Sequence, residues 1–234
     1  MKAYLEIADV TKLTEAAGNT RDKLLIRLLF HLGCRVSEAL SIEIKDIDFT
    51  SGTVTIRHLK CRSRLFCPSC KTRLGRAHQY CPKCGKMVTE AEKVKQEEKR
   101  YRVVPLDGET LNLFKKYVKK GGLVIKNDKE LLFGINRGRA WQIVKECAER
   151  AGFPQLLNPT TGKMHHVSPH KLRDAFAVNA VKHDDSGDGL RMLQEHLGHQ
   201  SFNTTARYRK VAGEELKRWY DGLWEEHDTG AHKA

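Results

Sequence analysis

Apolar residues recur at helical spacing over most of the chain, which predicts a mainly helical fold. The clearest pattern covers residues 19–32, where five leucines share one face: Leu24, Leu25, Leu28, Leu29 and Leu32. Asn19 can cap this helix, and Gly33 can end it. Weaker patterns of the same kind predict helices over residues 37–42, 107–120, 136–151, 169–181, 188–197 and 212–226. A further short helix is expected to start after the cap Ser201 and to carry Tyr208.

The helix predicted over residues 136–151 is expected to bury one face. At helical spacing, Trp141, Val144 and Ala148 fall on that face. Residues 152–168, which follow it, show neither a helical nor a strand period and are predicted to form a loop.

Three short runs with the composition of strands predict a small antiparallel sheet. The first two, residues 46–49 and 53–58, flank a turn that contains Gly52. The third covers residues 101–104 and is followed by a proline that would end it. Residues 59–99 separate the second strand from the third, which is too long for a hairpin loop. The expected fold class is therefore α+β and mostly helical, with a small antiparallel sheet that is interrupted by an insert.

The insert, taken as residues 60–99, contains two Cys-x-x-Cys pairs with ten residues between them. Two thiolates at this spacing can face one ion, and two such pairs complete a tetrahedral four-sulfur site. Because no position is left open in such a site, we expect structural Zn²⁺ rather than a catalytic metal. A redox pair and an iron–sulfur site remain the alternatives. The expected ligands are Cys67, Cys70, Cys81 and Cys84.

The composition is that of a globular protein, but the charge is strongly positive. The 234 residues are 40% apolar and 30% charged, with 42 Lys and Arg against 29 Asp and Glu, a net charge of +13. Such a surplus favours binding to polyanions, because each neutralised phosphate releases counterions. Residues 61–86 contain seven basic residues and no acidic one. The insert therefore either contacts a phosphate backbone or is a solvated link between two strands.

The sequence contains no predicted membrane span and no signal peptide. Its most apolar run, residues 24–32, is too short to cross a bilayer and is interrupted by Arg27 and His31. The N-terminus lacks the apolar core of a signal peptide. A cytoplasmic location is expected, where thiols stay reduced and cysteines serve metals more often than disulfides.

Three sequence motifs carry residues that could attack a phosphate diester. Residues 33–40 read Gly-Cys-Arg-Val-Ser-Glu-Ala-Leu, and residues 168–173 read Ser-Pro-His-Lys-Leu-Arg. The third motif, residues 197–208, begins Leu-Gly-His and ends in tyrosine. In order and spacing, these motifs resemble the signatures of the tyrosine recombinase family of phage integrases and Xer-like enzymes. They supply Arg35, His170, Arg173, His199 and Tyr208.

The resemblance implies a transesterification, in which a tyrosine oxygen attacks the phosphorus and a deoxyribose 5′-oxygen leaves. Arg35 and Arg173 would hold the phosphate, since a guanidinium group donates paired hydrogen bonds and stays charged. His170 would assist proton transfer at the nucleophile, and His199 would donate a hydrogen bond to the phosphate. Tyr208 would form a 3′-phosphotyrosine link, so that rejoining would need neither a nucleotide cofactor nor a metal.

The general acid for the leaving oxygen is the least defined member of the site. The family supplies a lysine from the loop between the second and third strands, which in this chain contains the insert. Lys60 directly follows the second strand and matches best, while Lys99 and Lys86 compete with it. Asp174 departs from the family pattern, which often has a second histidine after the arginine. Glu38 is expected to support the structure around the first motif.

The resemblance covers about residues 9–212 outside the insert. It makes residues 1–59 and 100–234 one discontinuous catalytic domain, with the four-cysteine zinc module at residues 60–99 inserted into it. The separate N-terminal core-binding domain of the family is expected to be absent.

The implied partner is double-stranded DNA, with self-association into a synaptic tetramer on that DNA. The apolar stripe in residues 213–234 would either pack on its own domain or dock on a neighbouring protomer. A site-specific recombinase or integrase is the expected function. The alternatives are a DNA-binding accessory protein without strand exchange, and nicking and closing like that of a type IB topoisomerase.

Overall fold

The computed structural model describes residues 3–57, 62–75, 77–96, 101–158, 161–209 and 222, and the fold is given for these residues. They divide into two compact units, the first within Met1–Ile56 and Arg102–Ala234 and the second within Arg57–Tyr101. The helices are α1 (Ile7–Glu15), α2 (Thr20–His31), α3 (Val36–Ala39), α4 (Gly108–Lys119), α5 (Arg137–Arg150), α6 (Pro169–His183), α7 (Gly187–Leu197) and α8 (Phe202–Ala206). The strands are β1 (Ile47–Asp48), β2 (Thr53–Arg57), β3 (Arg62–Phe66), β4 (Arg73–Leu74), β5 (Glu92–Gln96), β6 (Tyr101–Pro105), β7 (Val124–Lys126), β8 (Lys129–Leu131), β9 (Gln155–Leu157) and β10 (Met164–His166). None of these helices is long and apolar enough to cross a membrane.

Helix α2 is the central helix of the first unit. Its predicted leucine face is fully buried, and the helix packs against α1, α4, α5 and α6. Asn19 caps it by accepting a hydrogen bond from the backbone N–H of Asp22 at 2.9 Å. Burying each leucine contributes about 2 kcal/mol by removing apolar surface from water. The prediction of this helix is confirmed.

Gly33 follows α2 in a left-handed backbone conformation, with φ of +52°. A Cβ atom at this position would lie 2.6 Å from Cδ1 of Phe176 on α6. Both the dihedral angle and the close approach of α6 therefore require glycine. The sharp turn leads directly into the first motif and places Arg35 at the start of α3.

The sheet of the first unit has the strand order β1-β2-β6. Strands β1 and β2 are antiparallel, with Ile47 opposite Val54. Val54, Ile56 and Val104 are buried against the helices. The predicted α+β fold, mostly helical and with a small sheet interrupted in sequence, is confirmed.

The second unit has its own small sheet, with the strand order β4-β3-β5. Both neighbours of β3 are antiparallel to it, and Leu65 lies opposite Leu74 of β4. Leu74, Cys67 and Cys81 form the buried core of this unit. Such a small core supplies little hydrophobic stabilisation, so a further constraint on the fold is expected.

Residues 152–168 contain a hairpin, and the prediction that they form only a loop is wrong. Strands β9 and β10 pair antiparallel, with Leu156 opposite His165. Leu156 is buried while both of its strand neighbours are more exposed. Three residues per strand are too few to produce a recognisable alternation, which is why the sequence pattern failed here.

Trp141 is 40% exposed, so the prediction that it faces the core is wrong. Val144 and Ala148, on the same stripe of α5, are buried as predicted. Trp141 lies at the side of the buried face of α5, which begins with Ala140 and Ile143. Its ring meets the ring of His166 edge-on, with centroids 6.3 Å apart, and lies under the ammonium group of Lys145.

Several other element boundaries differ from the predictions. Helix α8 ends at Ala206, so Tyr208 follows the helix instead of lying within it. The helix predicted over residues 37–42 is the shorter α3. Helix α1 and the hairpin of β7 and β8 were not predicted. The helix predicted over residues 212–226 lies outside the described residues, apart from Gly222.

Candidate active site

Arg173 is the largest fully buried side chain of the protein among the residues described, at 1% exposure. Its Nη1 donates to the carbonyl of Gly33 at 2.6 Å, and its Nη2 donates to the carbonyl of Leu197 at 2.8 Å. These carbonyls lie at the C-terminal ends of α2 and α7, where helix dipoles favour a cation. Burial, and then the charge of Arg35, lower the pKa of Arg173 to about 10, which leaves it charged at neutral pH.

Arg35 is held by a buried carboxylate. Glu38, at 1% exposure, accepts a hydrogen bond from Nη1 of Arg35 at 2.9 Å and another from its backbone N–H at 3.0 Å. Arg102 of β6 donates to the same carboxylate at 2.7 Å. Burial by itself would raise the pKa of Glu38, but the bonds from Arg102 and Arg35 outweigh it and lower the pKa. The expected supporting role of Glu38 agrees with this geometry.

Gly198 ends α7 in a left-handed conformation, with φ of +65°. A Cβ atom there would come within 3.0 Å of Nη1 of Arg102. Because it has no side chain, Gly198 of the third motif lets the chain pass close to Arg102. The next residue, His199, is thereby placed against Arg173.

His199 is fixed through both of its ring nitrogens. Nη2 of Arg173 lies 2.9 Å from Nε2, and Oγ1 of Thr205 lies 2.9 Å from Nδ1. Because a guanidinium group can only donate, Nε2 must accept and the proton must reside on Nδ1. Burial first, and then the charges of Arg173 and Arg35, lower the pKa of His199 to about 4. The ring is therefore neutral at physiological pH.

Tyr208 lies next to His199, with the two rings stacked at a centroid distance of 6.3 Å and an interplanar angle of 13°. Its hydroxyl donates a hydrogen bond to Oδ1 of Asp174 at 3.0 Å. Burial raises the pKa of Tyr208, and the negative charge of Asp174 raises it further. The phenol is therefore protonated at neutral pH.

His170 lies at the edge of this cluster, and its side chain is 73% exposed. Although His170 precedes Arg173 by three positions on α6, Arg173 is buried and His170 faces solvent. Positions three apart differ by about 60° around a helix, which is enough to separate them at the edge of a core. Nε2 of His170 lies 3.7 Å from Oδ1 of Asp174.

The lysines proposed as general acid are not placed near this cluster by the residues described. Lys60 and Lys99 lie outside the described residues. Lys86 is exposed and belongs to the second unit. The assignment of the general acid therefore stays a prediction.

Sequence reasoning missed three residues that complete the cluster. Arg102 lies two positions before the buried Val104 on β6, and residues two apart on a strand share one face. This spacing could have indicated that Arg102 faces inward. Thr205 accepts from His199, and the side-chain amide of Gln194 donates to the His199 carbonyl at 3.1 Å. No pattern in the sequence distinguishes these last two from ordinary helix residues.

The four predicted metal ligands converge in the second unit. The sulfurs of Cys67, Cys70, Cys81 and Cys84 all lie within 4.8 Å of one another. Two of these sulfur pairs are 3.7 and 3.4 Å apart. A tetrahedral Zn²⁺ site with Zn–S bonds of about 2.3 Å places its sulfurs about 3.8 Å apart. The donor set and its dimensions therefore fit this ion.

The two cysteine pairs form matching turns. The backbone N–H of Lys71 donates to the Cys67 carbonyl at 2.9 Å, and that of Gly85 donates to the Cys81 carbonyl at 3.0 Å. Lys71 and Gly85 occupy the same position after their pairs, and both have a positive φ, of 56° and 67°. The hydroxyl of Thr72 is the main cause that lowers the pKa of Cys70 to about 6. Such turns present thiolates to a common point.

Comparison with known proteins places the chain in a family. The profile described as "Phage integrase family" matches residues 3–215. Tyrosine recombinase XerD of Neisseria meningitidis (serogroup A, strain Z2491) is 31% identical over 216 residues, covering 92% of this chain and 58% of that protein. Tyrosine recombinase XerA of Pyrococcus horikoshii is 27% identical over 209 residues, covering 89% of this chain and 57% of that protein. The chain belongs to the phage integrase family.

Solved structures agree on the fold. The crystal structure of XerA recombinase has a TM-score of 0.62 at 20% identity and covers 97% of this chain and 64% of that one. XerH site-specific recombinase, in a post-cleavage complex with a palindromic difH substrate, has a TM-score of 0.61 at 22% identity and covers 96% of this chain and 54% of that one. The chain thus spans a little more than half the length of the curated relatives named above.

Proposed function

We propose that this chain is the catalytic part of a site-specific DNA recombinase or integrase that cleaves and rejoins strands through a 3′-phosphotyrosine. The observation that carries the proposal is the cluster of two arginines, a histidine and a tyrosine drawn from three separated motifs. Arg35, Arg173, His199 and Tyr208 lie in one unit and act electrostatically on one another. Relatives that are named tyrosine recombinases support the same conclusion.

In this reaction the two arginines stabilise the negative charge that develops on the phosphate. The Tyr208 oxygen bonds to phosphorus, and the bond from phosphorus to the 5′-oxygen breaks. Preorganised donors of this kind act where charge increases in the transition state. Arg173 is held by two backbone carbonyls and Arg35 by Glu38, so neither has to be reoriented by DNA. The ester energy is kept in the tyrosine link, which makes rejoining possible without ATP.

The surroundings of His199 and Tyr208 must adapt to the substrate before attack. In the structure, Nε2 of His199 accepts from Arg173 and has no proton to donate. A phosphate oxygen that takes the Arg173 donor frees this nitrogen, and a hydrogen bond from His199 to the phosphate then requires the other tautomer. The Tyr208 oxygen must also approach phosphorus, which a lone pair can do while the O–H bond stays directed at Asp174. DNA binding therefore exchanges internal hydrogen bonds for bonds to the substrate.

A suicide substrate tests the proposal. A DNA duplex with a nick near the cleavage position loses the leaving strand, so that the covalent protein–DNA adduct accumulates. Wild-type protein is expected to form this adduct without added metal or ATP, and Tyr208→Phe is expected to bind DNA without forming it. An adduct in the Tyr208→Phe variant would contradict the proposed nucleophile. Because the target sequence is not known, a library of random duplexes serves as substrate.

The same assay separates the two alternatives. DNA binding without an adduct over the whole library would favour an accessory protein, for which the departure at Asp174 is the specific observation. Adduct formation together with relaxation of a supercoiled plasmid, but without strand exchange between duplexes, would favour activity like that of a type IB topoisomerase.

The proposed partner is double-stranded DNA, on which the protein would assemble as a synaptic tetramer in the cytoplasm. The net charge of +13 supports DNA binding. Sedimentation of the protein with and without a trapped duplex measures the assembly. A complex with fewer than four protomers per pair of duplexes would contradict the tetramer.

For the second unit we propose a structural Zn²⁺ held by the four cysteines. Both matching turns, the sulfur separations and the small apolar core support it. The ion would cross-link two segments that have little other packing, with no coordination position left for substrate. Metal analysis of purified protein should find about one equivalent of zinc, and Cys81→Ser should lose it. Iron with sulfide, or a disulfide in place of metal, would overturn the assignment.

The proposed DNA contact of the insert has a separate test. Arg73 and Lys83 are exposed on the second unit, whereas the ammonium of Lys71 is paired with Glu92. Arg73→Ala and Lys83→Ala should each reduce the slope of log affinity against log salt by about 0.9. Lys71→Ala is the matched control and should change it less. An unchanged slope in the first two variants would leave the insert as a link between strands.

A further inference from the structure

Asp174 directly follows the second motif, and the family pattern does not explain its chemistry. Its Oδ1 accepts the hydrogen bond of the Tyr208 hydroxyl at 3.0 Å. A phenol has one proton to donate, so this contact determines where that proton points. His170, which the resemblance assigns to proton transfer, is instead exposed and lies 3.7 Å from the same carboxylate oxygen.

We propose that Asp174, in place of His170, receives the proton of Tyr208 when the tyrosine oxygen attacks the scissile phosphate. The inference rests on the proposed function, because it concerns a step of that reaction. His170 then acts as a positioning residue at the outer side of the carboxylate.

The step balances without a further reactant. The Tyr208 oxygen forms its bond to phosphorus, its proton passes to Oδ1 of Asp174, and the bond from phosphorus to the 5′-oxygen breaks. The leaving 5′-oxygen takes a proton from a separate general acid. In the rejoining reaction the same proton returns from Asp174 to the phenol oxygen.

A carboxylate is a weak base for a free phenol, but it suits this reaction. The phenol oxygen loses electron density as its bond to phosphorus forms, and its proton becomes strongly acidic during the attack. A base then needs only to be ionised, close and correctly directed. The side chain of Asp174 is 17% exposed and accepts a hydrogen bond from the hydroxyl, so it is close to the proton and correctly directed.

Basic side chains lie close to both carboxylate oxygens of Asp174. Nε2 of His170 and Nζ of Lys171, both on α6, lie 3.7 and 3.9 Å from its two oxygens. Tyr4, from the segment before α1, is close enough for the negative charge of Asp174 to raise its pKa, after the larger effect of burial. Further cations act on Tyr208 itself: Arg173 and Arg207.

The test compares variants that keep or remove the proton acceptor. Asp174→Asn retains an oxygen that can hold the phenol in place, but it cannot take the proton. The single-turnover rate of adduct formation on the suicide substrate should fall about 100-fold, with DNA affinity unchanged. Asp174→Glu should recover part of the rate. Asp185→Asn, an exposed aspartate whose carboxylate lies 3.5 Å from Arg209, is the matched control for loss of one negative charge.

A more acidic nucleophile distinguishes proton transfer from a structural role. Difluorotyrosine placed at position 208 ionises far more readily than tyrosine and needs less help from a base. In the Asp174→Asn background it should restore the rate by about tenfold at mildly alkaline pH. If Asp174→Asn slowed adduct formation only because the phenol ring was misplaced, difluorotyrosine would not restore the rate.

A fluorine NMR titration of the same group in DNA-free protein gives a readout that does not depend on cleavage. The fluorinated phenol should ionise at higher pH in the wild-type background than in Asp174→Asn, because the carboxylate opposes the phenolate. Failure of the wild-type protein to form any adduct would overturn the proposed function, whatever the titration shows. With wild-type adduct present, the inference is overturned by an Asp174→Asn rate within about threefold of wild type, or by no gain from difluorotyrosine.

Discussion

Replacing Glu38 with glutamine should destabilise the first unit by about 3 kcal/mol. The substitution keeps the shape of the side chain but removes a charge that is 1% exposed. Arg102, whose side chain is 11% exposed, then keeps its own charge without a counter-ion. Breaking a buried pair from one side costs about 3–5 kcal/mol. The lower end applies because glutamine retains one acceptor oxygen and Arg35 is one-third exposed to water.

Urea unfolding at two pH values measures both the size and the cause of this loss. The pKa of Glu38 is lower in the folded protein, where the bonds from Arg102 and Arg35 outweigh the effect of burial. Its contribution is therefore complete above the unfolded value of about 4.3 and is lost as pH falls through the lower folded value. The difference in free energy of unfolding between wild type and Glu38→Gln should be largest at neutral pH and should become smaller in acid.

Glu109→Gln is the matched control for this experiment. Glu109 also pairs with an arginine, Arg27, at 3.0 Å, but its side chain is 79% exposed. Exposed pairs contribute at most about 1 kcal/mol, so this variant should unfold nearly as wild type does. A buried charge pair would be contradicted if Glu38→Gln lost no more stability than the control, or lost the same stability at both pH values.

Three further substitutions test other parts of the site. Thr205→Val removes the hydroxyl that bonds Nδ1 of His199, as acceptor or as donor according to the tautomer, and should slow adduct formation about tenfold at unchanged DNA affinity; an unchanged rate would show that this bond does not position His199 for the reaction. Gly33→Ala places a Cβ atom within 2.6 Å of a phenylalanine ring and should cost about 2 kcal/mol in urea unfolding, whereas a negligible loss would show that the ring moves freely. Burial is the main cause that lowers the pKa of His196 to about 4 in the folded protein. Its pKa in the unfolded chain is about 6.5, so the unfolded chain binds a proton more readily than the folded protein does. The free energy of unfolding should fall as pH drops between these two pKa values, and His196→Phe should make this fall smaller. The same pH dependence in both proteins would count against a buried neutral ring.

The sequence predicted those elements whose apolar pattern is long and regular. Helix α2 is one, because its leucines recur over more than two turns and all face the core. The hairpin of β9 and β10 could not be predicted in this way, since each strand has three residues. Trp141 fits the stripe of α5 but lies beyond the edge of the core, and periodicity carries no information on where a core ends.

For the candidate site, the motifs predicted which residues meet, but not how they contact one another. Arg35, Arg173, His199 and Tyr208 could be named from sequence because their flanking residues are distinctive. The hydrogen bonds around these residues depend on tertiary packing. Arg102 bonds to Glu38, 64 positions away in sequence, and Tyr208 bonds to Asp174, 34 positions away. Contacts between residues so far apart leave no periodic trace in a single sequence.

The two carbonyls that hold Arg173 belong to Gly33, 140 positions before it, and to Leu197, 24 positions after it. During synthesis on the ribosome, the first anchor emerges long before the guanidinium group, and the second anchor follows it only shortly before the tyrosine. A nascent chain that has not yet delivered Leu197 has neither a fixed arginine nor a nucleophile. Under the proposed function, an incompletely synthesised chain would therefore have no cleavage activity.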